Sequence, residues 1–358
     1  MNQEAAIKKA FTKNLLLWHA SVNKRDLPWK EEQDPYKIWL SEIILQQTRA
    51  QQGLPYYLKF TVAYPTVKAL AAADDNDVFR IWQGLGYYNR CKNMLATARL
   101  VTSEYSGIFP DSYEGLLTLK GIGPYTAAAI ASFAFRLPHA VVDGNVYRVL
   151  SRYFGIDTPT DSKEGKLLFT ALANELLDKA NSAHYNQAIM DLGATVCTPK
   201  KPICSDCPLS RQCLSAGTGL ASILPVKSKK IVVKTRFFAY LLMQFKDTIW
   251  IEKRGSGDIW ENLHQPFLIE NSEHPAATAD IISMLASQTG IPPNLIVFKE
   301  NTQQKLTHQI INTSFFVANL NKKPSPSRTN GIWVSINELK KLAFPKTLVS
   351  FFKNNLYF

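Results

Sequence analysis

Long hydrophobic runs are missing from this chain of 358 residues. No apolar stretch reaches the length needed to cross a bilayer. The stretch from Met1 to Trp18 mixes charged and apolar residues, with neither the long apolar core nor the cleavage site of a secretion signal. Repeats and low-complexity tracts are also missing. Acidic residues are the minority, 29 against 41 basic ones, giving a formal net charge of +12 and a pI of about 9.3. Such a balance favours a polyanionic partner, although a basic surface kept for solubility gives the same count. Cysteine is scarce, with five in all. An odd number suits a reducing cytosol. These absences predict a cytoplasmic protein with no membrane partner.

What cysteine there is sits almost entirely in one place. Cys197, Cys204, Cys207 and Cys213 are separated by six, two and five residues, while Cys91 lies far away. Four thiolates in one short loop can close around a soft metal centre, either a zinc ion or an iron–sulfur cluster. Zinc ribbons usually use two Cys-x-x-Cys knuckles, and here there is one. Paired disulfides are the third alternative.

Length allows two or three domains. From about Ile7 to Met190 apolar residues recur at three- and four-residue spacing, as in Ile38, Trp39, Ile43 and Ile44, and in Ala127, Ile130, Ala131 and Ala134. Helix starts are marked at Asp34-Pro35 and Asp111-Ser112. This predicts a mainly α N-terminal region, residues 1–213, ending in the cysteine loop at 197–213. Residues 214–230, with Gly217, Gly219, Ser222, Pro225 and a Lys/Ser run, have linker composition. Beyond them Phe237 to Met243, Thr248 to Ile251 and Thr313 to Val317 read as strands, and Ala277 to Gln288 as a helix. Residues 231–358 are therefore expected to form a separate α+β domain.

Three further patterns carry chemistry. Leu119 to Ala127 joins two helical patterns, at about 112–135, through Gly121-Ile122-Gly123-Pro124. Glycines in such a turn permit a tight reversal, and the following helix presents free N–H groups that can hold a phosphate without reading a base. This reads as a helix–hairpin–helix. Nineteen residues beyond Pro124 stands Asp143, in Val141-Val142-Asp143-Gly144-Asn145. A second carboxylate, Glu42, interrupts a largely apolar helix. An Asp before Gly is often a helix cap, and a lone Glu is ordinarily solvated. Two carboxylates in one cleft could instead divide their roles, one a raised-pKa acid and one an ionised stabiliser.

Together the hairpin, Asp143 and the cysteine loop resemble the endonuclease III superfamily of DNA glycosylases. Arg25 to Trp29, Ser41 to Thr48, Gly84 to Tyr88 and Asn186 to Asp191 are similar to the adenine DNA glycosylase (MutY) family within it, and the match covers nearly all of the N-terminal two-thirds. The resemblance implies a monofunctional hydrolase of base excision repair. Its partner would be double-stranded DNA containing A:8-oxoguanine or A:G mispairs, and it would act as a monomer carrying a [4Fe–4S] cluster on Cys197, Cys204, Cys207 and Cys213. Adenine would be flipped into a pocket. Glu42 matches the acid that protonates its N7. Asp143 matches the carboxylate that stabilises the cationic sugar, by charge or by a transient covalent adduct. Tyr125 and Asn145 match residues supporting that site. Gln47 matches a wedge that fills the duplex, and Tyr88 one that inserts beside the 8-oxoguanine. Arg25, Leu27, Trp29 and Gln187 match residues lining the adenine pocket, and Thr48, Gly121 and Gly123 fall among the DNA-contacting positions.

The family's C-terminal domain has a Nudix-like fold and reads 8-oxoguanine. Gly257 to Leu263 looks like its Trp-containing loop. The Nudix hydrolase box is missing after Phe267, so binding without hydrolysis is expected. Where the family usually has Phe-Ser-His, this chain has Leu306-Thr307-His308. The hydroxyl and the imidazole are kept and the aromatic is not. Two rivals stand beside this reading. A bifunctional endonuclease III would carry a nucleophilic Lys where Tyr125 stands and would normally lack the C-terminal domain. A non-catalytic DNA-binding or redox-sensing iron–sulfur protein would not need the Glu42 and Asp143 pair.

Overall fold

The computed structural model describes residues 3–228, 232–271, 277–324 and 331–356. Among the described residues, eleven α-helices occupy the chain up to residue 195. They are α1 (Gln3–Ser21), α2 (Pro35–Leu45), α3 (Ala50–Ala63), α4 (Val67–Ala71), α5 (Asp75–Trp82), α6 (Asn89–Glu104), α7 (Tyr113–Leu117), α8 (Pro124–Phe133), α9 (Gly144–Phe154), α10 (Lys163–Leu176) and α11 (Ser182–Thr195). No strand occurs among the described residues before Lys234. The chain divides into two compact units. One comprises Met1–Ala72 with Asn93–Lys230, and the other Ala73–Lys92 with Ile231–Phe358.

In the first unit the helix boundaries follow local chemistry. Asp34 caps α2 by accepting from the Tyr36 N–H at 2.9 Å, and Pro35 fills the first helical position. Ser112 caps α7 and Ser162 caps α10. Asp143 caps α9, which stops at Gly155 in the left-handed conformation. The core joins Phe11 and Leu15 of α1 to Leu150 and Tyr153 of α9, Phe169 of α10, and Tyr185, Ile189 and Leu192 of α11. Helix α2 is buried nearly all round, with Trp39, Leu40 and Ile44 fully enclosed.

The stretch expected to be a linker is not free of the first unit as far as the description runs. Leu214 N donates to Tyr153 O, Thr160 N donates to Val226 O, and Ser228 N donates to an Asp161 carboxylate oxygen. Its glycines and proline make turns laid along α9 and the 160–161 loop, so composition alone overstated its freedom. Lys229 and Lys230 lie outside the described residues.

The second unit is built on a seven-stranded mixed sheet: β1 (Lys234–Phe245), β2 (Thr248–Lys253), β3 (His264–Gln265), β4 (Phe267–Asn271), β5 (Val297–Lys305), β6 (Gln309–Leu320) and β7 (Gly331–Ser335). The main path runs β3-β2-β1-β6-β5, with β4 paired to β1 and β7 to β2. Strands β1 and β6 are parallel from Lys234↔Gln309 to Phe245↔Leu320, and the other pairs are antiparallel. Helices α12 (Thr278–Thr289), α13 (Ile336–Leu339) and α14 (Lys346–Asn355) belong to the unit, together with α5 and the start of α6 from Ala73–Lys92. Alternation along β1 serves two cores. Phe238, Tyr240 and Leu242 pack with Phe351 and Phe352 of α14, while Ala239, Leu241 and Met243 pack with Leu285 of α12. That two-sided burial explains why β1 reads as an unbroken hydrophobic run. The helical N-terminal and α+β C-terminal classes are as the sequence predicts, whereas Ala73–Lys92, expected within a domain spanning 1–213, belongs to the compact unit that holds the sheet.

Candidate active site

A cleft of about 360 Å³ in the first unit gathers residues from the 25–29 loop and from α2, α8, α9 and α11. Glu42, Tyr125, Asp143 and Asn145 all line it, as do Arg25, Leu27, Trp29, Thr48 and Gln187. A larger cavity, about 420 Å³, lies in the second unit beneath α12, but no ionisable side chain among the described residues lines it. Acid–base chemistry therefore points to the first cleft.

Glu42 projects from the buried helix α2 and is 7% exposed. Burial raises its carboxyl pKa to about 7. The neighbouring Tyr125 hydroxyl works against that rise, and the nearby Asp143 charge adds to it. Asp143 is held differently. As N-cap of α9, its Oδ1 accepts from the Asn145 and Val146 N–H groups, both at 2.8 Å, and its Oδ2 accepts from Asn145 Nδ2 at 2.7 Å. Burial pushes this carboxyl above its ordinary value too, and those donors with the Arg148 guanidinium offset only part of the rise. The two carboxylates thus differ in kind. One is desolvated with a single hydroxyl for company, the other sits on a helix N-terminus with donors already aimed at it.

Several residues that hold this arrangement escape motif reading. Asn186 is fully buried. It accepts from Val141 N at 3.0 Å and donates to Ser132 Oγ and His139 O, clamping the segment that delivers Asp143. Arg148 donates to Asn145 Oδ1 at 2.8 Å, to Gly193 O at 2.6 Å and to Cys197 O at 2.7 Å. A Cβ on Gly193 would lie 2.6 Å from Asn145 Cβ, so α11 approaches α9 only because this residue is glycine. Asp191, fully buried, collects the polar groups of the 23–30 segment. An Asp among the apolar residues of α11, and two arginines one turn apart on α9, were the available signals.

The hairpin has the expected shape, with one difference. Gly121 is left-handed (φ 78°) and a Cβ there would press on Asn93 at 3.0 Å, whereas Gly123 has ordinary extended backbone. Only Gly121 is required by the turn. Gly123 caps α8 with no side-chain bond and open space in front of it, so no side chain caps the start of α8. Gln47, exposed beyond the end of α2, is also left-handed (φ 58°), an uncommon state for a non-glycine residue.

Tyr88 is not presented for insertion. It is 7% exposed, its ring stacks on Phe79 and its hydroxyl accepts from Gly84 N at 3.2 Å. Its neighbour Tyr87 is the surface ring, 45% exposed at φ 49°. Within the same unit the Tyr87 hydroxyl bonds the hydroxyl of Thr307. Thr307 and His308 lie in the exposed turn between β5 and β6. The Trp260 loop is fixed from behind. Arg236 pairs with Asp258 and Glu270, and Arg254 pairs with Asp258 and stacks near Trp260.

The four loop cysteines line one small pocket beside Arg152. Arg152 Nη1 lies 3.4 Å from Cys197 Sγ. Backbone N–H groups of Leu209, Ser215 and Ala216 are directed at Cys207 and Cys213. Among the described residues no three His, Cys, Asp or Glu side chains lie close enough to hold a single metal ion.

Comparison with known proteins decides the family. Residues 40–172 match the HhH-GPD superfamily base excision DNA repair protein family, and residues 238–354 match the NUDIX domain. An adenine DNA glycosylase from Buchnera aphidicola subsp. Baizongia pistaciae (strain Bp) is 33% identical over 333 residues, covering 92% of this chain and 87% of that one. The chain belongs to the adenine DNA glycosylase family. It is accordingly a DNA glycosylase, a hydrolase. A thermostable thymine-DNA glycosylase structure aligns with a TM-score of 0.56 at 30% identity, over 60% of this chain and 99% of that one. A trapped endonuclease III–DNA covalent intermediate aligns at 0.52 and 19% identity, over 60% and 98%, which speaks to the fold of this family member's helical region.

Proposed function

We propose that this chain removes adenine from duplex DNA where it faces 8-oxoguanine or guanine, acting as a monomer in the cytoplasm and leaving an intact abasic strand. The observation that carries the reading is the pair of unlike carboxylates in one cleft. Glu42, protonated near neutral pH, gives its proton to N7 of the flipped adenine. The N-glycosidic electrons leave with the base as its bond to C1′ breaks. Asp143, ionised on its helix cap, faces the sugar cation, and water completes the hydrolysis at C1′. Asn145 keeps the Asp143 carboxylate oriented, and Tyr125 does the same for Glu42. Arg25, Leu27, Trp29 and Gln187 form the wall around the base. The start of α8 beyond Gly121 and Gly123, which no side chain caps, holds a DNA phosphate. Gln47 and the 84–88 turn meet the duplex, Tyr88 only after that turn rearranges, and Thr48 helps set the edge of the cleft.

Cys197, Cys204, Cys207 and Cys213 fit a [4Fe–4S] cluster. All four donors are thiols around one pocket, with N–H groups directed at Cys207 and Cys213 and a guanidinium at Cys197, as thiolate ligands require. The cluster would brace the loop from Cys197 to Cys213. Through Arg148, which bridges Cys197 O and Asn145, that bracing would extend to the catalytic cap.

The second unit supplies the lesion reading. Its α12 carries a single acidic residue, Asp280, in place of a metal-binding set of carboxylates, so binding without hydrolysis is the supported role. The test is single-turnover excision from A:8-oxoguanine and A:G duplexes, with wild type and with Thr307→Ala/His308→Ala. Wild type should favour 8-oxoguanine, and the double variant should lose at least about fivefold of that preference, the scale of one or two hydrogen bonds. An unchanged preference would remove lesion reading from this loop.

A further inference from the structure

Asp191 is fully buried on α11, one turn beyond Gln187. Four donors converge on it. Its Oδ1 accepts from Arg25 Nη1 at 2.8 Å and from Gln187 Nε2 at 3.1 Å. Its Oδ2 accepts from Asn23 Nδ2 at 2.7 Å and from Lys30 Nζ at 3.0 Å. Lys30 also donates to Arg25 O at 2.8 Å, which closes the loop carrying Leu27 and Trp29. Two cations and two amides offset the cost of burying this charge.

The chemistry of the acceptor has a consequence for the base. An ionised carboxylate has no hydrogen to give. Gln187 must therefore turn its NH₂ toward Asp191. Its Oε1 takes no hydrogen bond from a described residue, and the side chain lines the cleft. We propose that Asp191 is a positioning residue for base specificity, locking the Gln187 amide with its acceptor toward the cleft so that the site takes a purine with an exocyclic amino donor and rejects a 6-oxo purine. Adenine offers that donor, whereas hypoxanthine presents an oxygen to an oxygen. This rests on the cleft being the adenine pocket.

The experiment compares single-turnover excision of adenine and of hypoxanthine, each opposite 8-oxoguanine, so that intrinsic lability of the bases cancels between enzyme variants. Wild type should prefer adenine by about a hundredfold or more, since a site built for one hydrogen-bonding pattern discriminates strongly against its inverse. Asp191→Asn can both donate and accept, which frees Gln187 to flip, and the preference should fall by about tenfold or more. Asp191→Glu keeps an acceptor-only group and should retain the preference to within about threefold. A thermal melt by circular dichroism reports whether each variant folds. Should Asp191→Asn fail to fold, Gln187→Leu, which leaves three of the four donors on Asp191, should lose the preference in its place. Equal slowing on both bases, with the preference intact in Asp191→Asn or Gln187→Leu, would overturn the inference. So would a wild type that removes both bases equally. Removal of neither base by wild type would sink the adenine reading itself, and the inference with it.

Discussion

Replacing Glu42 by Gln should make the protein more stable and nearly inactive, and both effects should depend on pH in opposite ways. The folded state raises the Glu42 pKa from 4.5 to about 7. The native protein therefore binds this proton more tightly than the unfolded chain does. Below about pH 4.5 the group is neutral in both states and costs nothing. Between about 4.5 and 7 the unfolded chain gives up the proton first, so stability falls as pH rises, and above 7 the loss is complete. At about 1.4 kcal/mol per tenfold change in proton affinity, the full cost is about 3 kcal/mol. Gln carries no such charge, keeps the shape, and can accept from Tyr125. Urea melts of both proteins at pH 5 and pH 8 should then show the variant's advantage growing by about 2 to 3 kcal/mol between the two, with any pH-independent packing difference subtracted out.

Activity runs the other way. An amide cannot deliver a proton to N7, so excision should fall by about a hundredfold or more while duplex binding persists. In the wild type only the protonated fraction works, and the single-turnover rate should drop roughly tenfold per pH unit above about 7. Two results would refute the reasoning: a variant rate within a few-fold of wild type, or a stability difference that is the same at pH 5 and pH 8. The first removes Glu42 as the acid. The second removes desolvation as the source of its raised proton affinity.

Purified protein should be yellow-brown with about four iron atoms per chain, and Cys204→Ser should lower both the iron content and DNA affinity; stoichiometric zinc without iron would replace the cluster assignment. Borohydride added during turnover should trap little covalent complex, because the phenol of Tyr125 cannot form an imine and Lys120 lies five residues back on the hairpin. Efficient trapping that disappears in Lys120→Ala would make the enzyme bifunctional.

The parts of this architecture that were legible in the sequence are those encoded by neighbours in the chain. Asp34-Pro35 starts α2 and Ser112 starts α7, because caps act within three residues. Strand β1 and helix α12 showed in local periodicity. The cleft was legible only through the resemblance, since nothing in spacing alone brings Glu42 to Asp143 across a hundred positions. What stayed hidden is telling. Gly123 resembles Gly121 on the page, yet only Gly121 occupies a left-handed turn. Tyr87 and Tyr88 are chemically identical neighbours, and only packing on Phe79 decides which ring is buried. Asp191, Arg148 and Asn186 have partners 45 to 168 positions away. No local pattern marks such residues except a polar group where an apolar one is due.

That last signal has a common physical root across the site. Each of Glu42, Asp191, Asn186 and Arg148 is a polar side chain at most 8% exposed, and burial is tolerable only where partners compensate it. Three of the four are compensated: Asn186 by three hydrogen bonds, Asp191 by four donors, Arg148 by four acceptors. Glu42 is the exception, with Tyr125 against an unfavourable Asp143. The fold spends its hydrogen bonds on holding the frame and leaves one carboxyl short of them. That shortage keeps the proton on Glu42 at neutral pH, where a well-solvated carboxylate would already have lost it. Adding a compensating cation near Glu42 would stabilise the fold and, by the same step, remove the acid.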